Sequence, residues 1–569
     1  MTRACHRALP ALVGLVLLLG MPQRASAQGV GPAKHVYLFN VPGVSFDRLL
    51  DLPEVRALTR SGGAALMSYG GAIPRHLPPY PQVFPGDGPI TEWDLDPARL
   101  GGLRVVGGLI RDVILGSPAP EVLVVVLSTV GSEAMAAARD ELHPIVVAQG
   151  APSALFPAAG SLRTLTSDST RRVGVLTDGD VWPTIADYLG GPVPRDQDGS
   201  VVRFVDGPPP FELHQRYLDM RRMTVPVQSA AGIFVILGGL FGVALLVLRR
   251  RVPARVARVG AWVAMSVPAL SVALLAAGHL PTLSYATVVP FVIVATVAGT
   301  LAIAPLARRD VLLPPVAIGA AVLAYFVVEA ALGWTAAQTP FLGGSELDGG
   351  RFYGLPNVFI GLLVGASLYV AAHLRPVSGF ALVVAVALFA GLPFAGANLG
   401  AAVSLFAAAG LWLPLRARGR LGWRELGTAA AVVVAGTAVV LLAHWFLTAT
   451  PTHVTRFEEG AGLGEVWSTF THRLAVGWRL IERNPFAIVP VVGLPATLIA
   501  VLRPPGPVRE ALVRHPKWRD ALLVTLLAGL VAYVANDTGA AASGLAFGLG
   551  LGGLVYVSLI EGTWKMEGA

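Results

Sequence analysis

The chain has 569 residues, of which 54% are hydrophobic and 14% charged, and its mean hydropathy is +0.64. Soluble domains carry roughly 25% charged residues, so this composition excludes a soluble enzyme and a disordered chain alike. The 43 basic against 35 acidic residues leave a net charge of +8, which in a membrane protein records cytoplasmic arginines rather than a nucleic-acid surface.

At the start of the chain, Arg3 and Arg7 precede the apolar run 11–19, and Ala25-Ser26-Ala27 stands before Gln28. This is the pattern of a signal peptide over residues 1–27; read without cleavage, it is an anchor with a short apolar run. Either way, the chain beyond Gln28 is exported. The only cysteine, Cys5, lies in this segment, so the rest of the chain has no thiol for a disulfide, a metal or catalysis.

Residues 28–225 have a globular composition, with 17 basic and 21 acidic residues. The short apolar runs Val36 to Phe39 and Val122 to Leu127 predict buried parallel strands, and Phe46 to Ser61 predicts a helix between them. The expected fold here is an α/β domain. From 226 to 569 the pattern becomes apolar runs of about 18 to 23 residues, each long enough for a hydrocarbon core of roughly 30 Å. They predict an all-α, multi-pass domain of about eleven spans near 228–248, 259–277, 284–305, 311–333, 355–374, 378–396, 399–415, 427–448, 486–502, 520–535 and 540–560.

Alternate loops between these spans hold Arg249, Arg250, Arg251, Arg255, Arg258, Arg308, Arg309, Arg375, Arg416, Arg418, Arg420, Arg424, Arg503, Arg509, Arg514, Lys517, Arg519 and Lys565, against Arg351, Arg456, Arg473, Arg479 and Arg483 on the other side. That bias of 18 to 5 predicts a multi-pass protein of the bacterial cell membrane with residues 28–225 extracytoplasmic and the C-terminus cytoplasmic. No nucleic-acid-binding motif accompanies the arginines.

Three stretches of the exported domain resemble the alkaline phosphatase superfamily: His35 to Asp47, Leu123 to Gly131, and Asp180-Val181-Trp182-Pro183-Thr184 with Leu189-Gly190, which is similar to a D-x-x-P-T-x-x-x-x-L-G helix. The resemblance implies a truncated member of that fold and, in the family, Asp and His ligands for metal beside a Ser or Thr nucleophile. Here Pro42 stands where the first metal-binding Asp is expected, and Thr129 and Val130 stand where an Asp-His pair is expected. Ser68 falls near the nucleophile position, but a serine without a base or metal is inert near neutral pH. His35, His76, His143, Asp87, Asp178 and Asp180 show no metal-binding spacing, so no metal, no cofactor and no metal-dependent phosphatase or sulfatase activity is expected, and the domain reads as a pseudoenzyme. The order of parts is similar to ethanolamine phosphate transferases of glycolipid anchors, and to bacterial envelope proteins with a motif resembling Gly-Arg-Phe-Tyr-Gly-x-x-Asn.

Polar groups in and beside the spans mark candidate sites, because an ionisable group at mid-bilayer costs about 2.5 to 3.5 kcal/mol. Glu329 lies one turn from the outer end of its span, placed either to snorkel or to face a polar cavity. Three polar turns fall on the outer side: Gly350-Arg351-Phe352-Tyr353-Gly354 with Asn357, Gly396-Ala397-Asn398, and Asn536-Asp537. Each reads as a helix cap or turn alone, and together they read as one binding site. His453 and Arg456 precede a predicted amphipathic helix over 465–483 and complete the candidate set. The glycines Gly544, Gly548 and Gly552 predict close packing of the last span. The leading expectation is an envelope protein that binds or modifies a lipid-linked or glycan substrate at the outer face. The alternatives are a transporter or flippase and a phosphoethanolamine-type phosphotransferase. Expected partners are membrane lipids with a lipid-linked glycan or an envelope protein, and no nucleic acid.

Overall fold

The computed structural model describes residues 34–68, 89–130, 132–133, 135, 142–191, 199–249, 251–334, 341–342, 352–448, 471, 488–536 and 539–567. The expected signal peptide and the expected helix over 465–483 lie outside the described residues, save Thr471. The N-terminal part is a mixed sheet of eight strands: β1 (Lys34–Asn40), β2 (Gly63–Ser68), β3 (Ile90–Asp94), β4 (Glu121–Leu127), β5 (Leu142–Gly150), β6 (Thr164–Thr166), β7 (Val175–Thr177) and β8 (Arg203–Val205). Their order is β3-β1-β4-β5-β2-β6-β8, with β7 also pairing β2.

Successive residues of a strand point to opposite faces, and both faces of this sheet are covered. Tyr37 and Phe39 join one core with Val122, Val124 and Val126, while Val36 and Leu38 join another with Leu123, Val125 and Leu127. That explains why β4 reads as an unbroken apolar run. The first face carries α1 (Phe46–Leu50), α2 (Pro53–Ser61) and α3 (Leu103–Leu115), and the second carries α4 (Val181–Leu189).

One expectation is corrected here and one is met. The helix over 46–61 is two helices, because Pro53 holds the preceding Leu52 in an extended conformation (ψ 120°) and itself occupies the first turn of α2. The two runs expected as buried parallel strands are β1 and β4, which pair in parallel and run with β3, while β5 is antiparallel to both β4 and β2.

The connection to the helical part is continuous. Helix α5 (Pro210–Leu248) has 39 residues, about 58 Å of rise, nearly twice a hydrocarbon core. Tyr217 near its start is buried in the sheet's first core, and the boundary expected at 225/226 lies inside the helix. Beyond it come α6 (Ala254–Ala277), α7 (Tyr285–Ile303), α8 (Leu313–Ala331), α9 (Ile360–His373), α10 (Pro376–Gly391), α11 (Leu399–Arg418), α12 (Trp423–Leu447), α13 (Ile488–Leu502), α14 (Gly506–Arg514), α15 (Pro516–Ala535) and α16 (Gly539–Glu567).

Among the described residues, eight helices are long and apolar enough to cross a membrane, and the spans expected near 355–374, 378–396 and 486–502 fall on shorter apolar helices. Such a chain is an integral membrane protein. The end of the bundle where α5 leaves the sheet is the proximal end.

Helices α9, α11, α15 and α16 make the centre of the bundle, while α5, α7 and α12 keep large apolar side chains exposed, as lipid-facing helices do. The central helices approach through glycines. A methyl group at Gly361 of α9 would stand 1.7 Å from the Ala542 carbonyl oxygen of α16. The expected role of Gly548 in packing is not found, since nothing lies within 4 Å of a methyl there, whereas Gly552 meets Pro268 and Ala264 of α6. Gly361→Ala is therefore expected to force α9 from α16 and to cost roughly 1–3 kcal/mol. Thermal unfolding of the detergent-solubilised protein would begin earlier; an unchanged melting temperature would mean that the pair yields without strain.

Candidate functional site at the domain junction

The C-terminal ends of β1, β4 and β2 share one edge of the sheet, the edge at which open α/β sheets bind ligands. Here side chains close it. Asn40 Oδ1 accepts from the Thr129 amide at 3.1 Å and from its hydroxyl at 3.0 Å, and Asn40 Nδ2 donates to Asp94 at 3.1 Å. Ser68 and His143 are buried at the same edge. His35, whose pKa is lowered by burial, bonds Thr91 Oγ1 at 2.9 Å. Among the described residues no three His, Cys, Asp or Glu side chains come together as a metal-ligand set.

Asp180, which stands just before α4, is fully buried and used structurally. Its carboxylate accepts from Ser167 Oγ (2.8 Å), Ser169 Oγ (2.6 Å), the Thr177 amide (2.8 Å) and the Ser200 amide (2.7 Å). Burial pushes its pKa up and these four donors pull it back. The bracket ties the β6–β7 turn, the start of α4 and residue 200 to one point.

That turn carries two arginines into the bundle. Arg172, 8% exposed, donates from Nε to the Phe352 carbonyl and from Nη2 to the Trp334 carbonyl, both at 2.9 Å. Arg171, held at φ 51° in the left-handed region, donates to the Pro393 carbonyl at 2.6 Å and places its guanidinium 4.2 Å from the centre of the Tyr353 ring. Phe352 itself is buried in the first core of the sheet. The α/β domain is thus bolted to the proximal turns.

Those turns hold the sequence-predicted residues. Asn398 caps α11 by accepting from the Ala401 amide (2.9 Å) and donates to the Leu355 carbonyl (2.8 Å) and to Asn357 Oδ1 (2.7 Å). Asn536 packs on Gly400, where a methyl would lie 2.0 Å from its Oδ1, and donates to the Ala532 carbonyl at 3.0 Å. Asn357 and Asn398 meet directly, and Asn536 packs at Gly400, two residues along the chain from Asn398. Arg351, His453, Arg456 and Asp537 lie outside the described residues.

Glu329 neither snorkels nor is exposed. Its side chain is 0% exposed and lies 2.7 Å from Nε2 of His279, whose side chain is 39% exposed. Tyr325, one turn earlier on α8, donates to the Leu275 carbonyl at 3.3 Å and stands edge-on to His279. Arg216 of α5 donates to the Gly278 carbonyl at 2.8 Å, next to His279. Trp334 joins this group to the asparagines: its amide donates to the Glu329 carbonyl (2.8 Å), its indole to the Ala395 carbonyl (2.9 Å), and its own carbonyl takes Arg172.

Sequence reasoning missed His279, Arg171, Arg172, Arg216 and Trp334. Only His279 left a signal, as an isolated polar residue at the end of an apolar run. An imidazole at the surface backed by a buried carboxylate can exchange a proton, hold a cation or orient a hydroxyl group.

Two substitutions separate these roles. Arg172→Gln leaves two buried carbonyls short of a charged donor, a loss of about 2–4 kcal/mol at the junction. Amides near 352–357 and 393–397 should then exchange hydrogen faster while those of β1 and β4 hold their protection; equal exchange in both proteins would mean the arginine does not hold the junction. Asp180→Ala, which orphans four donors, should destabilise the α/β domain by about 3–5 kcal/mol, visible as early loss of the sheet's signal on heating. Retention of the parent's melting profile would dismiss the bracket.

Comparison with family models, with curated proteins and with solved structures finds no match to this chain.

Proposed function

We propose that this integral membrane protein binds or modifies a lipid-linked or glycan substrate of the cell envelope at the proximal end of the bundle, with the α/β domain as a non-catalytic docking or substrate module. The observation that carries the reading is the Glu329 carboxylate, buried in the last turn of an apolar helix and reached through a half-exposed His279. Burying a carboxylate in an apolar helix is costly, and its partner opens to the surface rather than into the core.

The proximal end is extracytoplasmic in this proposal. The arginine-rich connections Arg249 to Arg258, Arg308 and Arg309, Arg416 to Arg424 and Arg503 to Arg519 all follow the distal ends of helices. The three shorter apolar helices complete eleven crossings, and residues 1–27 act as the export signal. A phosphatase-like ancestry of the sheet is supported by the fall of Pro42, Thr129 and Ser68 at or just beyond the ends of adjoining or parallel strands on one edge. The missing Asp and His ligands support binding rather than hydrolysis there.

The buried carboxylate also favours a second reading, a carrier or flippase in which Glu329 takes up a proton or cation during the cycle. Purification of the whole protein in native lipid, with mass spectrometry of retained molecules, tests the first. A specific lipid-linked or glycan molecule is expected in the parent and reduced about tenfold or more in Glu329→Gln, as loss of a charged hydrogen bond predicts. The same bulk lipid in both would sink the assignment. Movement of that molecule across sealed proteoliposomes, abolished by Glu329→Gln, would replace it with the carrier.

A further inference from the structure

We propose that the groove between α5, α6 and α7 holds an acyl chain of an anionic phospholipid whose headgroup sits among Arg255, Arg308 and Arg309 at the distal end. The groove has a volume of about 660 Å³ and runs from Leu274 to Val259 along α6 and from Val288 to Ala304 along α7, a length of about 22–24 Å by helix rise. Its walls are apolar apart from three hydroxyl residues. Ser266 and Thr300 turn their hydroxyls back onto the Val263 and Thr296 carbonyls, at 2.7 Å each. Thr296, 6% exposed, has a hydroxyl with no hydrogen-bond partner among the described residues.

Helix α7 explains why the groove is open. Only Val288, Thr296 and Thr300 are buried along it, one stripe against α6. The rest of an all-apolar helix then faces hydrocarbon, and the gap between α7 and α5 is open to chains of the bilayer.

The two ends differ in charge. At the distal end, exposed Arg255 lies one turn before the groove residue Val259, and exposed Arg308 lies one turn past Ala304, followed by exposed Arg309, while the half-buried Arg258 is engaged within the protein. The nearby acid Asp310 is engaged: Oδ1 accepts from the Leu312 amide at 2.9 Å and Oδ2 is 4.0 Å from His373. Guanidinium forks match phosphate geometry, and basic pockets between membrane helices on one face bind anionic headgroups. At the proximal end the charge is answered within the protein, since Arg222 lies 3.4 Å from Asp219 and Arg216 is bonded to the α6–α7 turn. Charge complementarity therefore places the headgroup at the distal mouth, away from Glu329.

The test uses the full chain reconstituted in phosphatidylcholine vesicles with a minor share of phosphatidylglycerol, extracted in mild detergent and weighed by native mass spectrometry. The parent should retain phosphatidylglycerol over phosphatidylcholine by roughly tenfold or more above the vesicle ratio, given the attraction of several basic residues. Replacing Arg255, Arg308 and Arg309 by Gln should return retention to that ratio, and replacing them by Lys should keep most of it. Ala230→Phe or Thr296→Phe, each filling the groove, should remove the bound lipid, while Glu329→Gln should keep it, because the two sites are at opposite ends. Retention by the parent at the vesicle ratio identifies ordinary boundary lipid and overturns the proposal. Undiminished retention by both groove-filling variants overturns it too, and if those variants fail to fold, the exposed arginine set decides the question alone.

Discussion

Hydrocarbon offers no hydrogen bonds, so every polar group placed among these helices must find its partner inside the protein. The proximal turns show the result. Asn398 uses its one oxygen as a helix cap and both amide protons on Leu355 and Asn357, and the Trp334 indole takes the Ala395 carbonyl. At the other end Arg416 and Asp520 pair at 2.6 Å, both largely buried. Helices short enough to need help, such as the 14-residue α9, survive because they are central and touch protein on all sides.

The same constraint makes the α/β domain part of the membrane structure rather than a tethered passenger. Loops between helices expose backbone carbonyls, and two of these are answered by Arg172 from the sheet's own turn. Phe352 from the bundle enters the core of the sheet, and α5 carries Tyr217 of that core into its own apolar half without a break. A displacement of the domain would therefore be felt at Trp334, one hydrogen bond from the Glu329 backbone.

Local pattern carried much of this. The unbroken apolar runs of β1 and β4, the long apolar runs and the polar turns could all be read without coordinates, because each depends on residues within one element. What could not be read depends on pairing across the chain. Arg172 and Phe352 are 180 positions apart, and nothing around Arg172 distinguishes a latch from a surface arginine. His279 lies in the α6–α7 turn and Glu329 in α8, fifty positions on, so a histidine in an apolar stretch had no visible partner. The direction of β5 was hidden because a strand buried on both faces has the same composition whichever way it runs. The break at Pro53 was legible from the proline alone, and the apolar spacing outweighed it.

The proximal residues also differ in what their burial explains. Asn398 is saturated by internal bonds, so its presence follows from the fold: a cap and a bracket are needed there and asparagine supplies both. Glu329 is different, because a neutral residue in the same turn would leave the α8 backbone bonds, including that from Trp334, in place while removing the cost of a buried charge. Its carboxylate lies 2.7 Å from a side chain that opens outward. In the function proposed above, that charge, held at a membrane face beneath a domain fastened over it, answers what it meets outside the protein.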